Sequence, residues 1–176
     1  LISTQTASSS STISFTSGID DTYDSYVFKF INMHPSVDNS KFQFNMSTDG
    51  GSNYNVVKTS TAFKAYHHET DGSTGLAYDG AEDLAQSTSD SPLNVGGGTG
   101  TDNDQNASGT LTIFNPSSSV FVKHYISNFN NSHHANYSIN GFSAGYGNTT
   151  SAVNAIIFRM SSGNIDSGVI KLYGIS

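Results

Sequence analysis

At 176 residues with a net charge of −7 and 12% charged side chains, the chain suits one domain, and hydroxyls and amides must solubilise it, because Ser, Thr, Asn and Gly make up nearly half. The acidic balance argues against nucleic acid, whose phosphates require a basic footprint, and no apolar run approaches a membrane span. Low charge alone would allow disorder, but 9 Tyr and 11 Phe recur at strand-like spacing and point to a folded β protein.

The first 11 residues, with Ser8-Ser9-Ser10-Ser11, read as a flexible lead-in or an oligomer contact, and residues 12–15 as a first short strand. Leu1 is not Met, so a segment upstream of it is expected. The turn at 18–22 leads into an alternating run over 23–33 that Pro35 ends, since proline cannot donate to a ladder. Phe42-Gln43-Phe44-Asn45-Met46 directs its apolar side chains to one face and its polar ones to the other. Ser47–Tyr54 then holds Asp49-Gly50-Gly51, whose glycines accept positive φ, and reads as the tip of a hairpin joining 42–46 to the run over 55–66.

Residues 67–108 break the pattern. They hold His67-His68, the acids Asp71, Asp79, Glu82 and Asp83, and Gly96-Gly97-Gly98; 76–86 reads as one short helix. A long irregular excursion is usually functional, so contacts with a partner are expected there. Strand signals return over 109–114, 120–129, 136–146, 152–160 and 169–175, with a turn at Asn115-Pro116-Ser117-Ser118-Ser119. The whole predicts an all-β fold: a single antiparallel β-sandwich over 12–176, jelly-roll-like, of about eight to ten strands with one long excursion.

Little in the chain points to catalysis. No serine lies in a strand–elbow–helix setting such as Gly-x-Ser-x-Gly, and Gly96–Gly100 is not followed by Lys-Ser/Thr. Adjacent histidines on a strand face opposite ways, so His67-His68 and His133-His134 each offer one ligand at most to any metal site. Asp102-Asn103-Asp104-Gln105-Asn106 and the acids Asp20, Asp21 and Asp24 read as polar turns rather than calcium loops. No catalytic residue, metal or cofactor is assigned. Phe28, Phe30, Phe42, Phe44, Phe114, Phe121 and Phe158 read as core. Tyrosines near strand ends stack on sugars or anchor protein interfaces, and the binding candidates are Tyr66, His67, His68, Tyr78, Tyr137 and Tyr146.

Several blocks, taken in order, resemble a family of bacteriophage virion proteins common in marine phages. They are Ile2-Ser3-Thr4-Gln5-Thr6-Ala7-Ser8, Phe15-Thr16-Ser17-Gly18-Ile19-Asp20 with Tyr23-Asp24-Ser25-Tyr26, Ser47-Thr48-Asp49-Gly50-Gly51-Ser52, Leu111-Thr112-Ile113-Phe114-Asn115-Pro116-Ser117 and the closing Ser161-Ser162-Gly163-Asn164-Ile165 with Ile170-Lys171-Leu172-Tyr173-Gly174-Ile175. The resemblance implies a β-sandwich in the virion, as part of a tail fibre or other appendage that adheres to host-surface glycans. The alternatives are a capsid decoration or cement protein, or a free carbohydrate-binding module. The implied partners are other virion proteins and copies of itself, as a trimer in a fibre.

Overall fold

Alternation of apolar and polar side chains, broken by Gly, Pro and Asn at the turns, produces twelve strands and no helix in the computed structural model, which describes residues 1–176. They are β1 (Ser3–Ser10), β2 (Ile13–Phe15), β3 (Ser25–Pro35), β4 (Phe42–Ser47), β5 (Lys58–His68), β6 (Thr74–Tyr78), β7 (Ser91–Pro92), β8 (Ala107–Phe114), β9 (Lys123–His133), β10 (Tyr137–Gly147), β11 (Ala155–Met160) and β12 (Ile165–Ile175). One sheet has the order β1-β12-β3-β8-β9-β10-β5-β6, the other β2-β11-β4-β7, and every pairing is antiparallel.

The topology separates into a jelly roll and an extension. Strands β1-β12-β3-β8 face β2-β11-β4-β7, and the chain switches sheets at each step of β1, β2, β3, β4 and again of β7, β8 and β11, β12, the double Greek-key order. The other four strands, β9, β10, β5 and β6, widen one sheet only. Between the sheets Phe158 makes edge-on contacts with Phe15, Phe28 and Phe30 at centroid separations of 6.1, 5.1 and 5.0 Å and stacks on Phe42 at 5.9 Å. Phe44 is likewise fully buried, edge-on to Tyr125 at 5.0 Å.

Several expectations are corrected. Residues 3–10 are not a loose lead-in: they form β1, paired with β12 from Ser3↔Leu172 to Ser10↔Ile165. Alternation there runs through Ser and Thr, which hides an edge strand that needs few apolar contacts. The turn at Asp49-Gly50-Gly51 is no hairpin tip, because β4 pairs with β11 and β7 while β5 pairs with β10 and β6. Its glycines do take positive φ (73° and 91°), but the turn carries the chain from one sheet to the other, held by the Asp49 carboxylate accepting from Ser47 Oγ and Asn53 N. These hydrogen bonds hold the Asp49 carboxyl down at about 2. Residues 76–86 form no helix: they are the end of β6 and a turn in which the Asp79 carbonyl accepts from Glu82 N at 3.0 Å.

Phe114 and Phe121 are exposed, not core, at 41% and 69%. In β8 the inward positions are Leu111 and Ile113, so Phe114 falls on the outer face, and Phe121 precedes β9 altogether. Finally, the excursion is not irregular throughout, since it holds β6 and β7. Its stretch 91–100 is buried apart from partly exposed Gly96 and Gly97, and it runs up the inner face of the extension as a wall. Val95 lies so close to Gly141 of β10 that a Cβ there would come within 2.6 Å of the Val95 carbonyl oxygen.

That wall rests on buried polar chemistry at the end of the sheet where β5 and β9 begin. Asn45, expected on a solvated face, is 1% exposed; it accepts from Lys58 Nζ at 2.6 Å and donates to Asp90 Oδ1 at 3.0 Å. Arg159 makes a two-point contact with the same Asp90 carboxylate, one arm at 2.8 Å. Lys58 and Lys123 flank Gly147 in register, both fully buried, and Lys123 Nζ donates to the carbonyls of Phe121 and Thr149.

Candidate functional site

Beside the wall, at the other end of the extension, a cleft of about 360 Å³ opens, within the range of small-molecule sites. Register builds it. Cross-strand partners share a face, so His68 of β5, Tyr137 of β10 and His133 of β9 form one rung, with Tyr66 and Ile139 on the next rung of that face. The Tyr137 ring sits edge-on to His68, His133 and Tyr66 at 4.5, 5.8 and 6.0 Å between centroids. Lys64, Ser73, Ala77 and Gly96 complete the lining.

Gly75 of β6 sets the pose of Tyr66. A Cβ at that position would meet the Tyr66 hydroxyl at 2.7 Å and its Cζ at 2.8 Å, so the ring lies across bare backbone. Lys64 is held by Asp79 at 2.9 Å and by the Gly96 carbonyl at 3.3 Å, which fixes a polar edge on an aromatic wall. His133 Nδ1 accepts the Ala135 N–H at 3.1 Å, placing the imidazole proton on Nε2. Burial, and then the neighbouring His134 and Lys64, push the His133 imidazolium down to about 4, so the ring is neutral at neutral pH.

The sign of the resulting pH dependence follows. The imidazole pKa is lower in the folded state than its ordinary 6.5, so the unfolded chain binds the extra proton first. The stability that His133 contributes is complete above about pH 6.5 and is lost as pH falls through about 4. Protonation also removes the lone pair that Ala135 N–H uses. Thermal melts at pH 7, 5 and 4 are expected to show the wild type losing stability relative to His133→Gln as acid is added. Parallel profiles would show that the ring is not desolvated here.

Of the sequence-derived candidates, Tyr66 and Tyr137 line this cleft, and His68 packs against the Tyr137 ring beside it. His67 lies on the opposite face of β5, against Asp71 at 2.9 Å, as strand alternation requires. Tyr78 is also on the outer face, its hydroxyl donating to the Asp83 carboxylate, a bond that raises the phenol's pKa. Tyr146 lies toward the far end of β10 on the outer face, paired with Thr59 and His124, the His124 ring at 6.1 Å. His133 and His134 depart from the expected opposition: β9 ends at His133, and the two rings come within 4.1 Å of each other. Lys64 and His133 were missed as site residues, because only the pairing of three strands brings them to Tyr66. No group of three or more His, Cys, Asp or Glu side chains able to hold a metal gathers anywhere in the chain.

The arrangement presents two tyrosine rings, a neutral imidazole and a fixed ammonium around an open cleft. Such a surface stacks on a flat apolar face and bonds the hydroxyls at its rim. No family model, curated protein or solved structure matches the chain.

Proposed function

We propose that the protein is a non-catalytic component of a bacteriophage virion, a tail-fibre or appendage β-sandwich that binds host-surface glycans at the Tyr66–Tyr137 cleft. The observation that carries the reading is the convergence of Tyr66, Tyr137 and His133 around a cleft of about 360 Å³ with Lys64 at its edge. The ordered sequence blocks that resemble phage virion proteins supply the particle context. Within a fibre the chain associates with copies of itself, as a trimer, and with other virion proteins.

The test is binding of the purified chain to an array of bacterial capsular and O-antigen oligosaccharides. Tyr137→Ala is expected to weaken any binding about tenfold or more through loss of the stacking face. Gly75→Ala is expected to do the same at little cost in stability, since the Cβ displaces only the free end of the Tyr66 side chain. Binding unaffected by both variants would remove the cleft from the reading.

A second reading, capsid decoration, is favoured by the outer face of the large sheet. There Phe63 stacks on Phe142 at 4.8 Å, and Phe63, Leu76, Tyr78 and Ile126 are exposed at 44, 75, 60 and 54%. Cosedimentation with assembled capsids, abolished by Leu76→Asp and accompanied by no glycan binding, would establish that role instead.

A further inference from the structure

The buried polar chemistry beneath the wall contains a reactive pair. Lys58 of β5 and Asn45 of β4 are 0% and 1% exposed, and Lys58 Nζ donates to Asn45 Oδ1 at 2.6 Å. With a C=O bond of about 1.2 Å, Nζ lies no more than about 3.8 Å from the amide carbon, close to the roughly 3–3.5 Å from which reacting atoms combine. The amide is held in one orientation. Its Oδ1 also accepts from Met46 N at 2.9 Å, and its Nδ2 donates to Asp90 Oδ1 at 3.0 Å and to the Thr88 carbonyl at 2.9 Å. A flipped amide would set its NH₂ against two donors and its oxygen against two acceptors.

Each group that an amide exchange needs is present. Burial pushes the Lys58 ammonium down to about 8 against the attraction of Asp90, so part of it is the neutral, nucleophilic amine near neutral pH. Met46 N–H points at the oxygen on which negative charge gathers when a nucleophile adds to the carbonyl. Asp90 lies against the nitrogen that must leave. Burial works against its charge, but hydrogen bonds from Arg159 and Asn45 outweigh it and hold the carboxyl below its ordinary value, so it is a carboxylate able to take a proton.

We propose that Lys58 and Asn45 join through an amide bond between their side chains, releasing ammonia. The Nζ lone pair adds to Asn45 Cγ, and the carbonyl electrons move onto Oδ1, which faces Met46 N–H. In the adduct both nitrogens sit on one carbon, so Asp90 takes a proton from Nζ and gives it to Nδ2. The oxygen electrons then re-form the C=O bond as the Cγ–Nδ2 bond breaks, and ammonia leaves with that pair. No oxidant or other reactant enters. The new bond ties β4 of the small sheet to β5 of the large one and closes a ring around the turn at Asp49-Gly50-Gly51. A chain with no cysteine thereby gains a cross-link that reductants leave intact. The free-amine chain is the reactant; once linked, Lys58 has no group left to titrate.

Mass spectrometry of the full chain, fresh and after several days at room temperature, tests it. The intact chain is expected to become lighter by one ammonia, and trypsin locates the loss. Cleavage after Lys41, Lys58 and Lys64 divides the unlinked chain into 42–58 and 59–64, whereas linked Lys58 resists trypsin and leaves 42–64 in one piece, one ammonia lighter. Lys58→Met and Asn45→Ala are expected to keep their full mass, and Asp90→Asn to slow the loss about a hundredfold. The wild-type peptide decides the matter whether or not the variants fold. A chain that stays at full mass overturns the proposal. So does loss of ammonia at another asparagine, such as Asn140 before Gly141, while trypsin still cuts after Lys58. Linkage of Asp90→Asn at the wild-type rate overturns the role given to Asp90.

Discussion

Phe158→Ala is expected to destabilise the protein by about 3–5 kcal/mol, the range for truncating a fully buried phenylalanine, because the surrounding rings relax only in part. Phe158 lies on β11 in the small sheet and touches Phe28 and Phe30 of the large sheet as well as Phe15 and Phe42 of its own, so its ring is where the two halves of the jelly roll meet. At about 2–4 °C per kcal/mol for a chain of this size, the melting temperature should fall by roughly 10 °C. Phe114→Ala is the control: its side chain is on the outer face, and the loss should stay below about 1 kcal/mol. If the two variants melt together, the sheets do not pack through this cluster.

Lys58 gives the second large effect, visible only as pH changes. Burial pushes its ammonium down to about 8 from the ordinary 10.5, against the attraction of Asp90. Between these values the unfolded chain binds the proton and the folded chain does not, so stability rises with pH across the window and is at its reduced level below about pH 8. Integrated over the window, the gain is about 3 kcal/mol. Lys58→Met keeps the volume and deletes the titration. It leaves Asn45 Oδ1 and the Val56 carbonyl without their donor, a cost of about 1–3 kcal/mol per group that does not vary with pH. Urea midpoints at pH 7 to 10 should therefore show unlinked wild type climbing relative to the variant above pH 8. Profiles that run parallel would mean that Lys58 Nζ reaches water.

Strand phase was legible where alternation was made of large side chains. Phe28, Phe30, Phe42, Phe44 and Phe158 were all read as core and are fully or almost fully buried. Where alternation ran through Ser and Thr, as in β1, it left no signal. Turn chemistry was legible at Asp49-Gly50-Gly51 but not its use, because positive φ is needed whether two strands pair or part. What decides is that β11, far along the chain, takes the place beside β4 that β5 would have had. Phe114 went astray for a different reason: size was weighed above phase, although Leu111 and Ile113 already marked the inward positions.

The candidate site was legible residue by residue and not as a place. Tyr66, His68 and Tyr137 each stood near a strand end, but their assembly depends on the register of β5, β10 and β9 together. His133 and Lys64 joined them through the same pairing. The buried lysines were the least legible of all. A cation on an inward position breaks the apolar pattern, and only carbonyls and amides from other segments make it tolerable.

The pairing of β1 with β12 also governs how the molecule can be held. Ser3 lies opposite Leu172, whereas Ser10 lies opposite Ile165, so the amino and carboxyl ends leave side by side at one pole while the aromatic cleft opens at the other. β12 alone, with 11 residues at about 3.3 Å each, sets the poles roughly 35 Å apart. A tether at either end of the chain therefore presents the cleft outward. Anchoring the protein to a bead or a sensor through one terminus and then through the other should give the same ligand affinity.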